Sequence, residues 1–439
     1  MKRSWYFLPL GILLVSVLVH QLLLLSSGLL LFLIFLLIDI WSTFCLVNLR
    51  YRRSFSQQRA SFGEEIVLTQ LLENAKLLPL SWVRVSDRVP LALVFRGLSP
   101  HLIPDGRRAI IESLFSPRWY ERITRSYRLR CLARGVHTFG PTVLWSGDLF
   151  GFVSRHQELD NREQILVYPP LVPLTRLGLP ARSPFGERRM PQRLLEDPAR
   201  ISGIRDYRQG DELRRVHWKA SARAMRLQSK IYEASATYTL ALFLNMPPPL
   251  SLLELGVSQE LKELAICAAA SVADWGLQAG YAVGLYCNGM LSGLEGGGAD
   301  PEGRVSGPAQ DDLEPRSSIV RLPPASGARQ RQRILEALAR VEPYYGEPIE
   351  AVMGAERSHL PFGATVVLVT SMINEALLSA LQRFQRSGHP VSVLCIGQVQ
   401  VPAAKVPGVR VQHIGGEGTW RAILASFERG QDQDTPGSA

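Results

Sequence analysis

From Trp5 to Leu25 the chain is almost wholly apolar, and after Ser26-Ser27-Gly28 it is apolar again from Leu29 to Leu49. Each run is about 20 residues, the length a helix needs to cross a hydrocarbon core of about 30 Å. The pattern therefore predicts a transmembrane hairpin over residues 1–50, with spans 5–25 and 29–49 and an uncharged turn between them. A secretory signal, the competing reading, would carry an apolar region of about 7–15 residues followed by a small-residue cleavage site. Downstream the period shortens. "EEIVLTQLLENAKLLPLSWVRVSDRVP" and "ERITRSYRLRCLARGVHTFGPTVLWSGDLFGFVSRHQEL" alternate apolar and polar residues in short runs broken by Asn, Pro and Gly. This predicts an antiparallel β module of sandwich type over residues 60–170.

A Pro- and Arg-rich stretch with little apolar content opens the basic segment 181–237 and reads as a surface strap. From Tyr238 the pattern changes again. "YTLALFLNM" is a continuous apolar run like a buried parallel strand. "SQELKELAICAAASVADWGLQAG" has helical spacing, and strand and helix patterns then alternate through "YAVGLYCNG", "RQRILEALARV", "ATVVLVTS", "NEALLSALQRFQRSG" and "PVSVLCIG". That alternation predicts a doubly wound α/β domain over residues 238–428. Residues 291–318, rich in Gly, Pro and acid, read as a flexible insertion, and 429–439 as a polar tail.

Charge orients the hairpin. Lys2 and Arg3 precede the first span, and Arg50, Arg52, Arg53 and Arg59 follow the second. Positive residues stay on the cytoplasmic side, so both ends of a two-pass hairpin in a bacterial plasma membrane would lie inside, with the soluble domains cytoplasmic. The net charge of +10 favours an acidic partner without choosing among lipid, nucleic acid and protein. The five cysteines are scattered through apolar segments without metal or redox spacing, and read as small core residues in a reducing compartment. Asp39 stands inside the second span, where a carboxylate is either a helix-pairing device or a protonated, water-assisted residue.

The candidate chemistry concentrates in "ISGIRDYRQGDELRRVHWKASARAMRLQSKIYE", residues 201–233. Gly210-Asp211 predicts a turn and a helix N-cap. The short amphipathic helix after it would bring Val216, Trp218 and Ala222 toward the core, with the arginines outward or paired to Asp206, Asp211 and Glu212. Catalysis would need His217 polarised by a carboxylate and aimed at a nucleophile such as Ser221. The spacing permits that contact but supplies no oxyanion site. No phosphate loop, Gly-x-Ser-x-Gly elbow or His-Glu-x-x-His occurs, so no catalytic residue and no cofactor is assigned.

"GIRDYRQGDELRRVHWKASAR" resembles the signature of the bacterial "domain of unknown function 58" proteins. "NAKLLPLSWVRVSDRVP", "RGVHTFGPTVLWSGDLFGF" and the apolar N-terminus extend the resemblance over nearly the whole chain. The resemblance implies a membrane-anchored protein with a von Willebrand factor A-like C-terminal domain and association with MoxR-type AAA+ ATPases. It implies no established catalytic activity. A-type domains often hold a divalent cation through Asp-x-Ser-x-Ser and later acids. Here Asn245 takes the leading Asp position, Pro247 and Pro249 the serine positions, and Ser371 the later acidic one. Hard cations need oxygen ligands, so no metal site is carried over.

The leading expectation is a non-enzymatic, membrane-tethered scaffold or adaptor serving a MoxR-type ATPase in the assembly or maturation of envelope proteins. In it Arg205, Tyr207, Gly210, Asp211, Arg215, Trp218, Lys219, Ser221 and Arg223 make a structural joint. Trp218 is expected to fill a seam between the β module and the α/β domain, over a buried Arg–Asp network. The alternative is a module binding anionic lipid or nucleic acid through residues 182–230. Interleaved acids and few aromatics speak against nucleic acid. Nothing in the sequence indicates an oligomeric state.

Overall fold

The computed structural model describes residues 7–19, 21–95, 101–102, 108–148, 153–180, 184–185, 196–234, 238–247, 258–292, 319–344, 346–397 and 408–429. The chain divides into two compact units, the first carrying Met1–Tyr168 and the second Pro169–Gly293 and Pro308–Ala439.

The first unit begins with helices α1 (Phe7–Val19, 13 residues) and α2 (Leu22–Phe44, 23 residues). At 1.5 Å per residue α1 spans only about 20 Å, whereas α2 exceeds the roughly 30 Å of a bilayer core. Among the described residues one helix, α2, is therefore long and apolar enough to cross a membrane. This corrects the expected hairpin of two full spans. The residues read as its turn lie inside α2 instead. The Ser26 and Ser27 hydroxyls donate back to the carbonyls of Leu23 and Leu24 at 3.0 and 2.9 Å, which satisfies them within an apolar helix. A Cβ on Gly28 would sit 3.1 Å from Leu13, so the glycine gives α1 room to pack close. Asp39 is exposed on α2.

Twelve strands follow among the described residues of this unit: β1 (Leu49–Phe55), β2 (Arg59–Ala60), β3 (Glu65–Asn74), β4 (Val83–Pro90), β5 (Val94–Phe95), β6 (His101–Leu102), β7 (Arg108–Phe115), β8 (Arg122–Arg130), β9 (Gly135–Phe139), β10 (Thr142–Gly147), β11 (Ser154–Leu159) and β12 (Glu163–Val167). They form three sheets, in the orders β1-β3-β8-β5, β11-β10-β4-β7-β6 and β2-β12-β9. All pairs are antiparallel except β2 with β12. The expected antiparallel sandwich is thus corrected to three sheets with one parallel pair, and its start moves from residue 60 to Leu49. Leu49, Tyr51 and Arg53 alternate inward along β1, so the end of the apolar run is already strand.

Arg53 points inward because a partner waits there. Asp87, on β4, accepts from Arg53 Nη1 at 3.1 Å, from Gln70 Nε2 at 2.8 Å, and from the hydroxyls of Tyr51 and Thr142. Arg53 Nη2 donates to the Asn161 carbonyl at 2.7 Å, and the guanidinium lies 5.7 Å from the Phe139 ring centre. Burial first, and the Asp87 carboxylate second, push the Tyr51 phenol well above its ordinary range.

The second unit contains β13 (Glu196–Asp206), α3 (Trp218–Ala224), β14 (Gln228–Ala234), β15 (Thr239–Leu244), α4 (Gln259–Gln278), β16 (Ala282–Cys287), β17 (Met290–Leu291), β18 (Val320–Ala325), α5 (Ala328–Arg340), β19 (Val341–Glu342), α6 (Ile349–Glu356), β20 (Thr365–Thr370), α7 (Glu375–Arg386), β21 (Val391–Ile396), β22 (Arg410–Gly415) and α8 (Glu417–Arg429). Its main sheet runs β18-β16-β15-β20-β21-β22, parallel except for the antiparallel edge strand β18. The continuous apolar runs are buried on both faces: Ala241 and Phe243 pack toward α6 and α7 with Val352, Met353, Leu381 and Phe384. Ser258 and Asn374 cap α4 and α7 through side-chain bonds to the N–H groups of Leu261 and Leu377, at 3.3 and 2.7 Å.

This mixed sheet corrects the expected doubly wound domain of von Willebrand factor A type. The edge is reversed because the chain re-enters it as β18, which pairs antiparallel with β16. The expected insertion begins in ordered structure, since Leu291 in β17 pairs with Val341. Its residues 293–318, the tail from 430, and most of the strap over 181–195 lie outside the described residues.

Candidate interaction surface

The basic signature segment is a β-hairpin, β13 with β14, whose long connection carries a 3₁₀ turn (Leu213–Arg215) and α3. Asp211 organises the connection. Its carboxylate accepts from Arg205 Nη2 at 2.8 Å, from the Arg208 N–H at 3.0 Å and from the Ser229 hydroxyl at 3.1 Å, while its carbonyl accepts from the Tyr207 hydroxyl at 3.1 Å. The Arg205 guanidinium above all, then the Arg208 N–H, hold the Asp211 carboxyl down at about 2. Gly210 has φ +107°, a left-handed conformation that favours glycine and lets the chain turn back onto Asp211.

The expected turn at Gly210-Asp211 is present; the expected helix cap is not. Asp211 closes the 208–211 turn by accepting from Arg208, and α3 is capped by His217, whose Nδ1 accepts from the Ala220 N–H at 3.2 Å. The Ser221 hydroxyl accepts from the Gln228 N–H at 2.9 Å and donates to the His217 carbonyl at 3.1 Å, clipping α3 to β14. His217 Nδ1 and the Ser221 hydroxyl thus hold the local fold.

Sequence reasoning placed Trp218 in the core, and the structure turns it out. Val216 is buried, but Trp218 is 68 % exposed, together with Leu213 at 70 % and Met225 at 91 %. The reason is local. Val216 bridges to Ser229 on β14, which fixes the face of α3, and Ser221 rather than Trp218 lies against the hairpin. Ala222, Lys219 and Arg223 are exposed as well. The Arg–Asp network also exists but is not buried: Arg226 pairs with Asp206 at 3.1 Å with side chains 67 % and 59 % exposed. Arg214 and Arg215 reach Glu212 at 2.5 and 3.6 Å, and Arg214 first among its neighbours holds the Glu212 carboxyl below the usual range. Gln228 and Ser229 were missed as partners. Only the β13–β14 register brings them to the turn.

Of the degenerate metal positions, Asn245 sits in a neutral hydrogen-bonded cluster at the ends of β15 and β20. Asn245 Nδ2 donates to Thr370 Oγ1 at 3.0 Å, Asn288 Nδ2 to Asn245 Oδ1 at 3.3 Å, and the Met246 N–H to Asn288 Oδ1 at 2.7 Å. Ser371 is partly buried beside them, Pro247 is buried, and Pro249 lies outside the described residues. Among the described residues no three His, Cys, Asp or Glu side chains come together.

Residues 203–291 match the family described as "Protein of unknown function DUF58". The chain is 24 % identical over 202 residues to the uncharacterized protein YeaD of Bacillus subtilis, a match that covers 44 % of this chain and 46 % of that one, so it spans about half the relative's length. Solved structures matched include the cohesin module of a Clostridium perfringens family 33 glycoside hydrolase (7 % identity, TM-score 0.20, 27 % of this chain and 96 % of that one). The CARDB domain of the Pyrococcus furiosus PF1109 protein also matches (9 % identity, TM-score 0.19, 27 % and 86 %). Asp211 and the connection it organises lie within the matched segment, and residues 203–291 carry the chain's likeness to the DUF58 family.

Proposed function

We propose that this protein is a membrane-tethered, non-enzymatic adaptor that presents the tip of the β13–β14 hairpin to a cytoplasmic MoxR-type AAA+ ATPase in the assembly or maturation of envelope proteins. The observation that carries this reading is the exposure of Leu213, Trp218 and Met225 on a connection otherwise fastened by hydrogen bonds. Exposed apolar side chains on a rigid, polar-rimmed support are what a binding site offers. The arginines around them pair largely with Asp206, Asp211 and Glu212, which favours a protein partner over nucleic acid or lipid. The arginines at 50, 52, 53 and 59 support a cytoplasmic body beyond α2.

The test is affinity purification of the full chain from detergent-solubilised membranes, beside a Trp218→Ala variant. The adaptor reading expects an AAA+ ATPase with the wild type and a loss of it with the variant. Repeated recovery of none, or equal recovery by both proteins, would sink the reading. Protease added to intact spheroplasts should leave the body uncut if it is cytoplasmic.

A further inference from the structure

Helix α2 enters the folded body without a linker. It ends at Phe44, Cys45 is already packed in a core cluster with Leu49, Tyr51, Leu72 and Leu80, and β1 starts at Leu49. Its terminal carbonyls are gathered by one ammonium group. Lys76 Nζ donates to the carbonyls of Phe44, Cys45 and Val47 at 2.8, 2.5 and 2.7 Å. A cation there satisfies the orphan acceptors of a helix C-terminus and opposes its dipole. The loop carrying Lys76 is tied in turn to the next one: the Tyr120 N–H donates to the Lys76 carbonyl at 3.2 Å, and Asn74 Nδ2 to the carbonyls of Leu78 and Arg118 at 2.9 and 2.8 Å. Residues 44–48, 75–80 and 117–121 therefore make up one end of the first unit, at the foot of α2.

That end is apolar on the outside. Leu77 is 73 % exposed, Tyr120 66 %, Trp119 64 % and Val47 47 %. Tyr120 also holds φ +50°, a backbone region that bulky residues seldom adopt, and its N–H bond to Lys76 keeps it there. Arg50, Arg118 and Arg122 stand exposed around the group. Trp and Tyr rings with an apolar body and a polar edge settle at the membrane–water interface, and nearby arginines suit anionic headgroups. The continuity with α2 identifies what covers this surface.

We propose that Val47, Leu77, Trp119 and Tyr120 form a lipid-contacting collar that seats the first unit on the membrane surface around the foot of α2. The proposal rests on α2 being inserted, and goes beyond tethering: the body is held against the bilayer rather than swinging on a leash.

The experiment places nitroxide labels on single introduced cysteines in the full chain, reconstituted in phosphatidylethanolamine–phosphatidylglycerol vesicles. Leu33→Cys reports on α2, Leu77→Cys and Trp119→Cys on the collar, and Val67→Cys on the far end of β3; the unsubstituted chain, whose five cysteines are buried, gives the background. Collision with oxygen, which concentrates in lipid, is compared with collision with a water-soluble nickel chelate. Oxygen should dominate at 33, 77 and 119, and the chelate at 67. Labels at 77 and 119 that favour the chelate while 33 favours oxygen overturn the collar and leave insertion standing. A label at 33 that favours the chelate overturns insertion, and the collar with it.

Discussion

Asp87 with Arg53 in the first unit and Asp211 with Arg205 in the second are the same ion pair in opposite surroundings. The first has side chains 1 % and 0 % exposed, the second 15 % and 38 %. Around Asp87 the remaining acceptor capacity is taken by side chains of Tyr51, Gln70 and Thr142, from three other strands. Around Asp211 the partners are mostly local: the Arg208 N–H three residues away and Arg205 six away. The buried pair cannot fall back on water when broken, whereas the exposed one can. Asp87 therefore specifies how the strands of the first unit come together, and Asp211 specifies only the shape of one connection.

Breaking the buried pair should have the largest effect. Asp87→Ala leaves the buried Arg53 charge with only the more distant Glu163 carboxylate, 3.9 Å away and 34 % exposed, and should cost about 3–5 kcal/mol, read by denaturant unfolding followed through the first unit's strands. A loss comparable to that of a surface change would show that water reaches Arg53. Next comes Lys76→Met, which removes the cation from the α2 terminus and should cost about 1–2 kcal/mol, the upper range for a partly buried site.

The exposed pair is probed by pH. The Asp211 carboxyl is held near 2, below its ordinary 3.8, by Arg205 first. Since the folded value is the lower one, the stabilisation is present above about 3.8 and lost as pH falls through about 2. The Arg208 amide resonance should stay still from neutral pH to pH 4 and move only with a midpoint near 2. A midpoint near 3.8 would mean that the turn is not held through this carboxylate. The smallest effect on stability belongs to Trp218→Ala, within about 0.5 kcal/mol for an exposed site, although its effect on partner capture should be large. A substantial drop in melting temperature would place Trp218 in a packed seam after all.

Much of the second unit was legible in the chain. The apolar runs at 239–244, 282–287, 365–370 and 391–396 are strands, and the helical spacings between them are helices, because burial on both faces or on one stripe leaves its mark in local periodicity. Less was legible where one residue type serves two purposes. Ser26-Ser27-Gly28 has turn chemistry, yet hydroxyls bonded to carbonyls one turn back and a glycine under a neighbouring helix suit a helix interior equally. Antiparallel pairing of β18 left no signal in periodicity, because direction is set by how the chain returns to the sheet.

The sequence by itself determined the apolar N-terminus, the strand-rich first unit, the alternating elements of the second, and the turn at Gly210-Asp211, all features encoded within a few residues of one another. Tertiary structure alone decided that Arg53 points inward while Arg52 stays out, that Lys76 closes α2 from 29–32 residues away, and that Trp218 faces solvent. The physical reason is common to the three. A charged or aromatic side chain takes its place from the partner that can compensate its desolvation, and Asp87, 34 residues from Arg53, is brought beside it only when the strands pair in register.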